Sequence, residues 1–211
     1  PLMPAIGVAE VVDITETERL DIPVFAAVRP RTAVGATRFF SGKGIEPRQA
    51  EVAAGMEAIE RYSAEYHGDR MELASYEEIG LTRALDPRDL MLSRPLGVGE
   101  KIHWSPGWDI LNDEAVMVPS NAVFHPYISL GETERLFRSD TTGLAAGCAM
   151  EEAILHALME VVEWDALSVA ERKKSLGRRL RIDGGGDARN LLDRFQAAGI
   201  EIHLWLVEGR T

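Results

Sequence analysis

The sequence predicts an α+β fold of mixed or antiparallel sheets packed with long helices. Three observations carry that prediction. Two stretches, residues 46–66 and about 150–174, have the length and apolar spacing of long helices. Several short β-branched runs, bounded by proline or glycine, read as strands. Strands and helices are interleaved without the strict βαβ alternation of a parallel sheet.

Taken in order, VAEVVDIT (residues 8–15) and PVFAAVRP (23–30) are apolar and β-branched, and prolines close both ends of the second. The helix over 46–66 has Pro47 near its first turn, where the missing N–H costs nothing. Residues 70–78 hold a short strand before a polar, proline-spaced stretch. KIHWSPGWDIL (101–111) and AVMVPSNAVFHPY (115–127) read as strands, each broken by a proline. After the helix over 150–174, LRID (180–183) reads as a short strand, the glycines at 184–186 as a loop, and 187–198 as a helix N-capped by Asp187. IEIHLWLV (200–207) alternates as a strand does. The 211 residues suffice for a single domain with a sizeable core. The chain lacks an initiator Met and stops just after a strand, so the domain is expected to be incomplete at its C-terminus.

Composition excludes several function classes. The formal net charge of −11 argues against a nucleic-acid-binding surface. The single cysteine, Cys148, rules out an intramolecular disulfide and fits a reducing cytoplasm. No apolar run approaches the ~20 residues of a membrane span, and no basic start followed by an apolar block marks an export signal.

The long helix EEAILHALMEVVEWDAL (151–167) reads as one that wants to be buried, yet four polar residues interrupt it. With Glu152 at zero, His156, Glu163 and Glu160 fall within an arc of about 80°. A solvated face of an amphipathic helix would account for such a stripe. Two details count against that account. Along the axis the arc is flanked by Ala149, Ala153 and Leu167 rather than by more charge, and it lacks Lys or Arg partners at i,i+4. Close unpaired carboxylates raise one another's pKa, and a divalent cation removes the conflict.

The earlier helix has a parallel feature. Glu57, Glu60 and Arg61 share an arc of about 100°, with Val52, Met56, Ile59 and Tyr62 on the other side. Alone, this too reads as solvent exposure, since Glu51 and Glu65 also lie off the apolar face. Together, ExxER and ExxEWD place two glutamates three apart on each of two helices. Were those helices to face each other, four carboxylates would meet. Mg2+ takes oxygen ligands and shares them with phosphate, so the set suits a Mg–nucleotide site with Arg61 on phosphate. A ferritin-like di-iron centre needs Glu-x-x-His, and Ala153 stands three before His156. TTGLAAGC (141–148) leads into a helix N-terminus, where free N–H groups can hold phosphate. SGKG (41–44) is a second glycine–lysine loop, but Lys43 is followed by Gly44 and no glycine stands at position 37, so it is not a Walker A motif.

SGKGIEPRQAEVAAGMEAIERY (41–62) and TTGLAAGCAMEEAILHALMEVVEWDAL (141–167) together resemble the YcaO family. The first is similar to its GKG loop and ExxER helix. The second is similar to its SNGLAAG approach and the glutamate-rich helix that follows. The resemblance implies an ATP- and Mg2+-dependent enzyme that phosphorylates a peptide backbone amide. A neighbouring Cys, Ser or Thr then closes an azoline, or an external sulfide equivalent gives a thioamide. It implies that Glu57, Glu60, Glu160 and Glu163 hold magnesium. Lys43, Arg61, Thr141, Cys148, Glu152 and His156 would bind ATP, with Arg61 on phosphate; no catalytic residue is implied.

The departures also inform. Trp164 replaces the Arg that many members carry after the second ExxE, Ala53 a frequent Ser, Thr141–Thr142 a Ser–Asn pair, and Cys148 a common Asn. The Trp164 variant and the lack of a fused domain lean towards thioamide formation. The alternatives are azoline formation with a peptide-binding partner, or a scaffold that has lost turnover. Expected partners are a peptide or protein substrate, an accessory protein, a sulfur donor and a second copy in a homodimer, with no nucleic acid and no membrane. His67, His103, His125 and His203 have no metal-ligand spacing and read as structural. Cys148 reads as a small buried hydrophobe or, beside a helix N-terminus, as a nucleophile. The basic run at 171–181 complements a helix dipole. Trp104 and Trp108 read as core or turn anchors.

Overall fold

The computed structural model describes residues 2–17, 19–129, 133 and 135–209. In chain order its elements are α1 (Leu2–Ala5), β1 (Glu10–Asp13), β2 (Val24–Val28), β3 (Phe39–Lys43), α2 (Pro47–Ala64), β4 (Glu72–Ala74), α3 (Tyr76–Ile79), β5 (Ile102–Asp109), β6 (Glu114–Pro119), α4 (Met150–Lys173), β7 (Arg178–Leu180), α5 (Asp187–Ala197) and β8 (Leu204–Leu206). Among these strands every pairing is antiparallel, as the predicted α+β class requires. The chain divides into two compact units: Pro1–Arg31, Thr37–Glu60 and Thr142–Thr211 form one, Thr32–Ala36 and Arg61–Thr141 the other.

In the first unit β1, β2 and β3 make a three-stranded sheet in that order. The segment SGKG, expected as a loop, is largely strand: Ser41, Gly42 and Lys43 pair with Ala26, Phe25 and Val24. Alternation along β3 buries Phe40 and Gly42 and exposes Phe39, Ser41 and Lys43. Gly42 is required there. A Cβ on it would lie 2.1 Å from the Ala50 carbonyl oxygen and 2.1 Å from the Ala54 nitrogen, so strand and helix backbones touch. Only methyl groups fit beside such an approach, and Ala50, Ala54 and Ala58 are fully buried. This corrects the expected apolar face of α2: Val52 is 47% exposed, and the alanines, four apart, form the inner stripe. The Arg29 side chain, also buried, donates from Nε to the Ile6 carbonyl at 2.9 Å and lies over the Phe40 ring.

Helix α4 departs furthest from expectation. Among its described residues only Ala170 is buried, while Leu155, Leu158, Met159, Val162 and Trp164 are exposed. No described element covers that apolar surface. Lys174 closes the helix in the left-handed conformation (φ 51°, ψ 40°), its N–H donating to the Ala170 and Glu171 carbonyls. Helix α5 starts as predicted, but its N-cap is Gly186 (φ 93°) and Asp187 makes no capping bond. Asp187 instead places its charge in the first turn, where the dipole favours it. The strand read over 180–183 lies earlier: Gly177, whose added Cβ would sit 2.2 Å from the Leu206 carbonyl oxygen, sets the register of β7 on β8. The strand read over 200–207 shrinks to Leu204–Leu206.

In the second unit β4, β5 and β6 form a sheet whose core gathers Ala74, Ile79, Ala84, Ile102, Trp104 and Leu136. Trp104 is fully buried and donates from Nε1 to the Ala74 carbonyl at 3.0 Å; Trp108 is exposed and donates to Asp113 at the hairpin end. Pro106 does not break β5, contrary to its reading. It pairs with Met117, whose N–H and C=O bond Arg83 and Leu85 on the far side, so the pair needs no hydrogen bond from Pro106. On the other edge of β5, the β4 pairing ends at Trp104, so no ladder bond is lost there. Strand β6 stops at Pro119, and a 3-10 turn over Ser120–Ala122 replaces the strand expected beyond it.

Candidate functional site

On α2 the residues singled out by sequence are half-buried rather than solvent-facing. About the helix axis, Arg61 lies about 20° from Ala54 and Glu57 about 20° from Ala50, next to the buried alanine stripe. Glu57, Glu60 and Arg61 all take intermediate exposure, and Glu65, expected off the apolar face, is only 4% exposed. The reading of this stripe as a plain solvated face therefore fails. Lys43 ends β3 with its side chain exposed, one residue before Gly44 turns the chain towards α2. Gly44 is held close to that turn, since a Cβ on it would come within 2.6 Å of the Gln49 Cβ.

On α4 the glutamate stripe is present, with Glu160 half-buried and Glu152, His156 and Glu163 exposed. Two of its carboxylates are engaged with the chain that leads into the helix. The Gly143 N–H donates to Glu160 Oε2 at 2.9 Å, and the Cys148 N–H donates to Glu152 Oε2 at 2.6 Å. Glu152 occupies the third helical position, and its carboxylate reaches back past the Ala149 cap, which has no side-chain acceptor, to the N–H of the residue before it. The two acceptors are eight residues apart, about 12 Å along the axis. The five-residue step from Gly143 to Cys148 spans at most about 17 Å. The segment thus runs as a strap along the face that carries the acids.

The strap explains its own glycines. Gly143 has φ 85°, and a Cβ there would lie 3.3 Å from Val161 Cγ2; at Gly147 it would lie 2.7 Å from the Ala153 nitrogen and 2.9 Å from the Glu152 Cβ. Close packing on α4 demands both glycines, whatever else their N–H groups do. Cys148 is exposed, not a buried hydrophobe. Thr141 is half-buried.

The four glutamates do not form a cage. Among the described residues, no three His, Cys, Asp or Glu side chains lie close enough together to hold a metal ion. Mg2+ bound with a nucleotide needs only one or two carboxylates, the rest of its octahedron being phosphate and water. Glu57 with Glu60, and Glu160 with Glu163, are each one helical turn apart and supply hard oxygen donors in pairs, so the donor set fits that ion.

Sequence reasoning placed His125 among structural histidines and missed its setting. In the second unit His125 lies near Arg61 and Asp140; burial and the Arg61 charge push its pKa below the usual value, and Asp140 opposes them. Its Nδ1 is buried with no hydrogen-bond partner, and its backbone N–H donates to the Ala64 carbonyl at the end of α2. No local pattern signals this, since Arg61 and His125 are 64 residues apart. His67 accepts the structural role expected of it, with Nε2 2.7 Å from the Tyr62 carbonyl oxygen and its ring against Tyr62.

Comparison with known proteins gives a consistent picture. Residues 41–211 match the family described as YcaO cyclodehydratase, ATP- and Mg2+-binding. An uncharacterized protein of Methanothermobacter thermautotrophicus is 41% identical over 203 residues, covering 94% of this chain and 52% of that protein. The structure of YcaO from Methanopyrus kandleri bound with AMPPCP and Mg2+ superposes with a TM-score of 0.76 at 30% identity, over 98% of this chain and 51% of that one. A heterocyclase in complex with substrate and cofactor superposes with a TM-score of 0.71 at 25% identity, over 90% of this chain and 29% of that one. The chain spans about half the length of the curated relatives it matches.

Proposed function

Because this chain belongs to the YcaO family, we propose that it serves ATP- and Mg2+-dependent activation of a peptide backbone amide. The observation that carries the reading is the pair of glutamate pairs, Glu57 with Glu60 and Glu160 with Glu163, in a chain similar to a YcaO that binds AMPPCP and Mg2+. Bound Mg2+–ATP would supply the phosphoryl group that makes the amide oxygen a competent leaving group. The protein's own part is positioning and charge. Glu57, Glu60, Glu160 and Glu163 would hold the metal, and Arg61 would place positive charge on phosphate oxygens. Lys43, Thr141, Cys148, Glu152 and His156 would line the nucleotide. Amide activation balances as follows: the amide oxygen takes the terminal phosphoryl group and ADP leaves; a nucleophile then attacks the amide carbon and phosphate leaves.

Trp164, in place of a phosphate-binding Arg, supports an external sulfur donor and a thioamide product. The second reading, azoline formation with a peptide-binding partner, is favoured by the likeness to a heterocyclase. Incubation with ATP, Mg2+ and candidate peptides tests both. ADP release is expected only with peptide. Loss of one water mass identifies ring closure, and exchange of oxygen for sulfur identifies a thioamide. Glu160→Gln is expected to abolish Mg2+–ATP binding in calorimetry while leaving the circular dichroism unchanged; near-normal affinity refutes the metal role of Glu160.

A further inference from the structure

We infer that Gly143 is a positioning residue for Glu160, and that the strap over residues 143–148 and a divalent cation at Glu160 are thermodynamically linked. The second half of this inference rests on the proposed ATP–Mg2+ reading; the first does not.

A carboxylate offers two oxygens and about four lone-pair sites. The Gly143 N–H occupies one site on Glu160 Oε2, which leaves Oε1 for a metal. A glutamate anchored through one oxygen has already given up rotamer freedom that coordination would otherwise remove. The anchored side chain therefore binds a cation more tightly than a free one. Linkage is reciprocal, so a cation on Glu160 holds the strap in place.

Two features show that the contact is built rather than incidental. Gly143 donates its N–H to Glu160 from a backbone with φ 85°, a conformation that L side chains rarely reach. The far end of the strap repeats the device, with Gly147 packed on the first turn and Cys148 N–H on Glu152. His156 and Glu163 share the same arc, and neither holds a hydrogen bond or ion pair among the described residues. The strap thus selects two of the four polar groups on that face, and one of the two is a proposed metal ligand. Its order reports whether that ligand is correctly held.

Two measurements on the full chain test this. In hydrogen exchange without metal or nucleotide, the Gly143 amide is expected to be protected in the wild type and in Glu160→Gln, whose amide oxygen still accepts, and to lose protection in Glu160→Ala. Equal exchange in all three overturns the positioning role. Mn2+ binding in the presence of AMPPCP, followed by electron paramagnetic resonance, is then compared in the wild type and Gly143→Pro, which has no N–H and, with φ fixed at about −65°, cannot hold the left-handed turn of the strap. Loss of an outer-shell partner is expected to weaken Mn2+ by about tenfold although all four glutamates remain. If Gly143→Pro misfolds by circular dichroism, Gly143→Ala takes its place, since its methyl group would press on Val161 from a left-handed backbone. Unchanged Mn2+ affinity in the folded variant overturns the linkage alone. A wild type that shows the exchange pattern but binds no Mn2+ overturns the linkage and the ATP reading together, and leaves Gly143 as an anchor only.

Discussion

His125 shows how a single side chain can set a pH response. Burial and Arg61 hold its pKa below the usual 6.5. The unfolded chain therefore binds the proton at a higher pH than the folded one does. By linkage, the contribution of this group is fully present above pH 6.5 and falls as the pH drops towards the lowered folded value. The second unit is expected to lose stability as the pH falls below 6.5, with a slope that His125→Asn reduces, as read by urea titration at each pH. An identical slope in wild type and variant counts against the assignment. The sequence held no sign of this, because burial and the nearby Arg61 charge, the two causes, are both made by the fold, as is the opposing approach of Asp140. Glu152 and Glu160 were different: their helical spacing put them on one face before any coordinates did, and only their hydrogen-bond donors, Cys148 and Gly143, had to be seen.

Among elements, the two long helices were legible and their faces were not. Length and spacing placed the ends of α2 and α4 to within two residues. The rule that large apolar side chains mark the buried face failed on α2, because β3 approaches so closely at Gly42 that only alanine fits. Short elements fared worse. Helix α3 carries a complete capping box, Ser75 accepting from the Glu78 N–H and Glu78 accepting from the Ser75 N–H, a pattern written in the sequence as S-x-x-E and passed over within a stretch read as strand and polar loop. Ser75→Ala is expected to cost about 1 kcal/mol in chemical denaturation, and a loss below a few tenths would show that the box contributes little. Pro106 misled for a different reason. A proline stops a strand only where its N–H is wanted, and the register on Met117 decides that, not the residue type.

At the level of the whole chain, the resemblance carried by residues 41–62 and 141–167 pointed to the family, which residues 41–211 match directly. The division into two compact units was not legible, since no linker or change of composition marks the boundary inside α2 at Glu60 and Arg61. Nor was the exposure of α4, because a periodic apolar helix says that it wants a neighbour without saying whether these residues provide one.

That exposure has a colloidal consequence. Leu155, Leu158, Met159 and Val162 follow one another at steps of three, one and three, and each is at least 49% exposed, so they form one greasy ridge along the helix. This polypeptide, produced alone, is expected to light up the dye ANS and to self-associate as ammonium sulfate is added, since excluded salts strengthen apolar burial. Replacing Leu158 and Met159 with Lys should dim the dye and shift the onset of light scattering to higher salt. Equal scattering in both proteins would mean that the ridge is not what limits their time in solution.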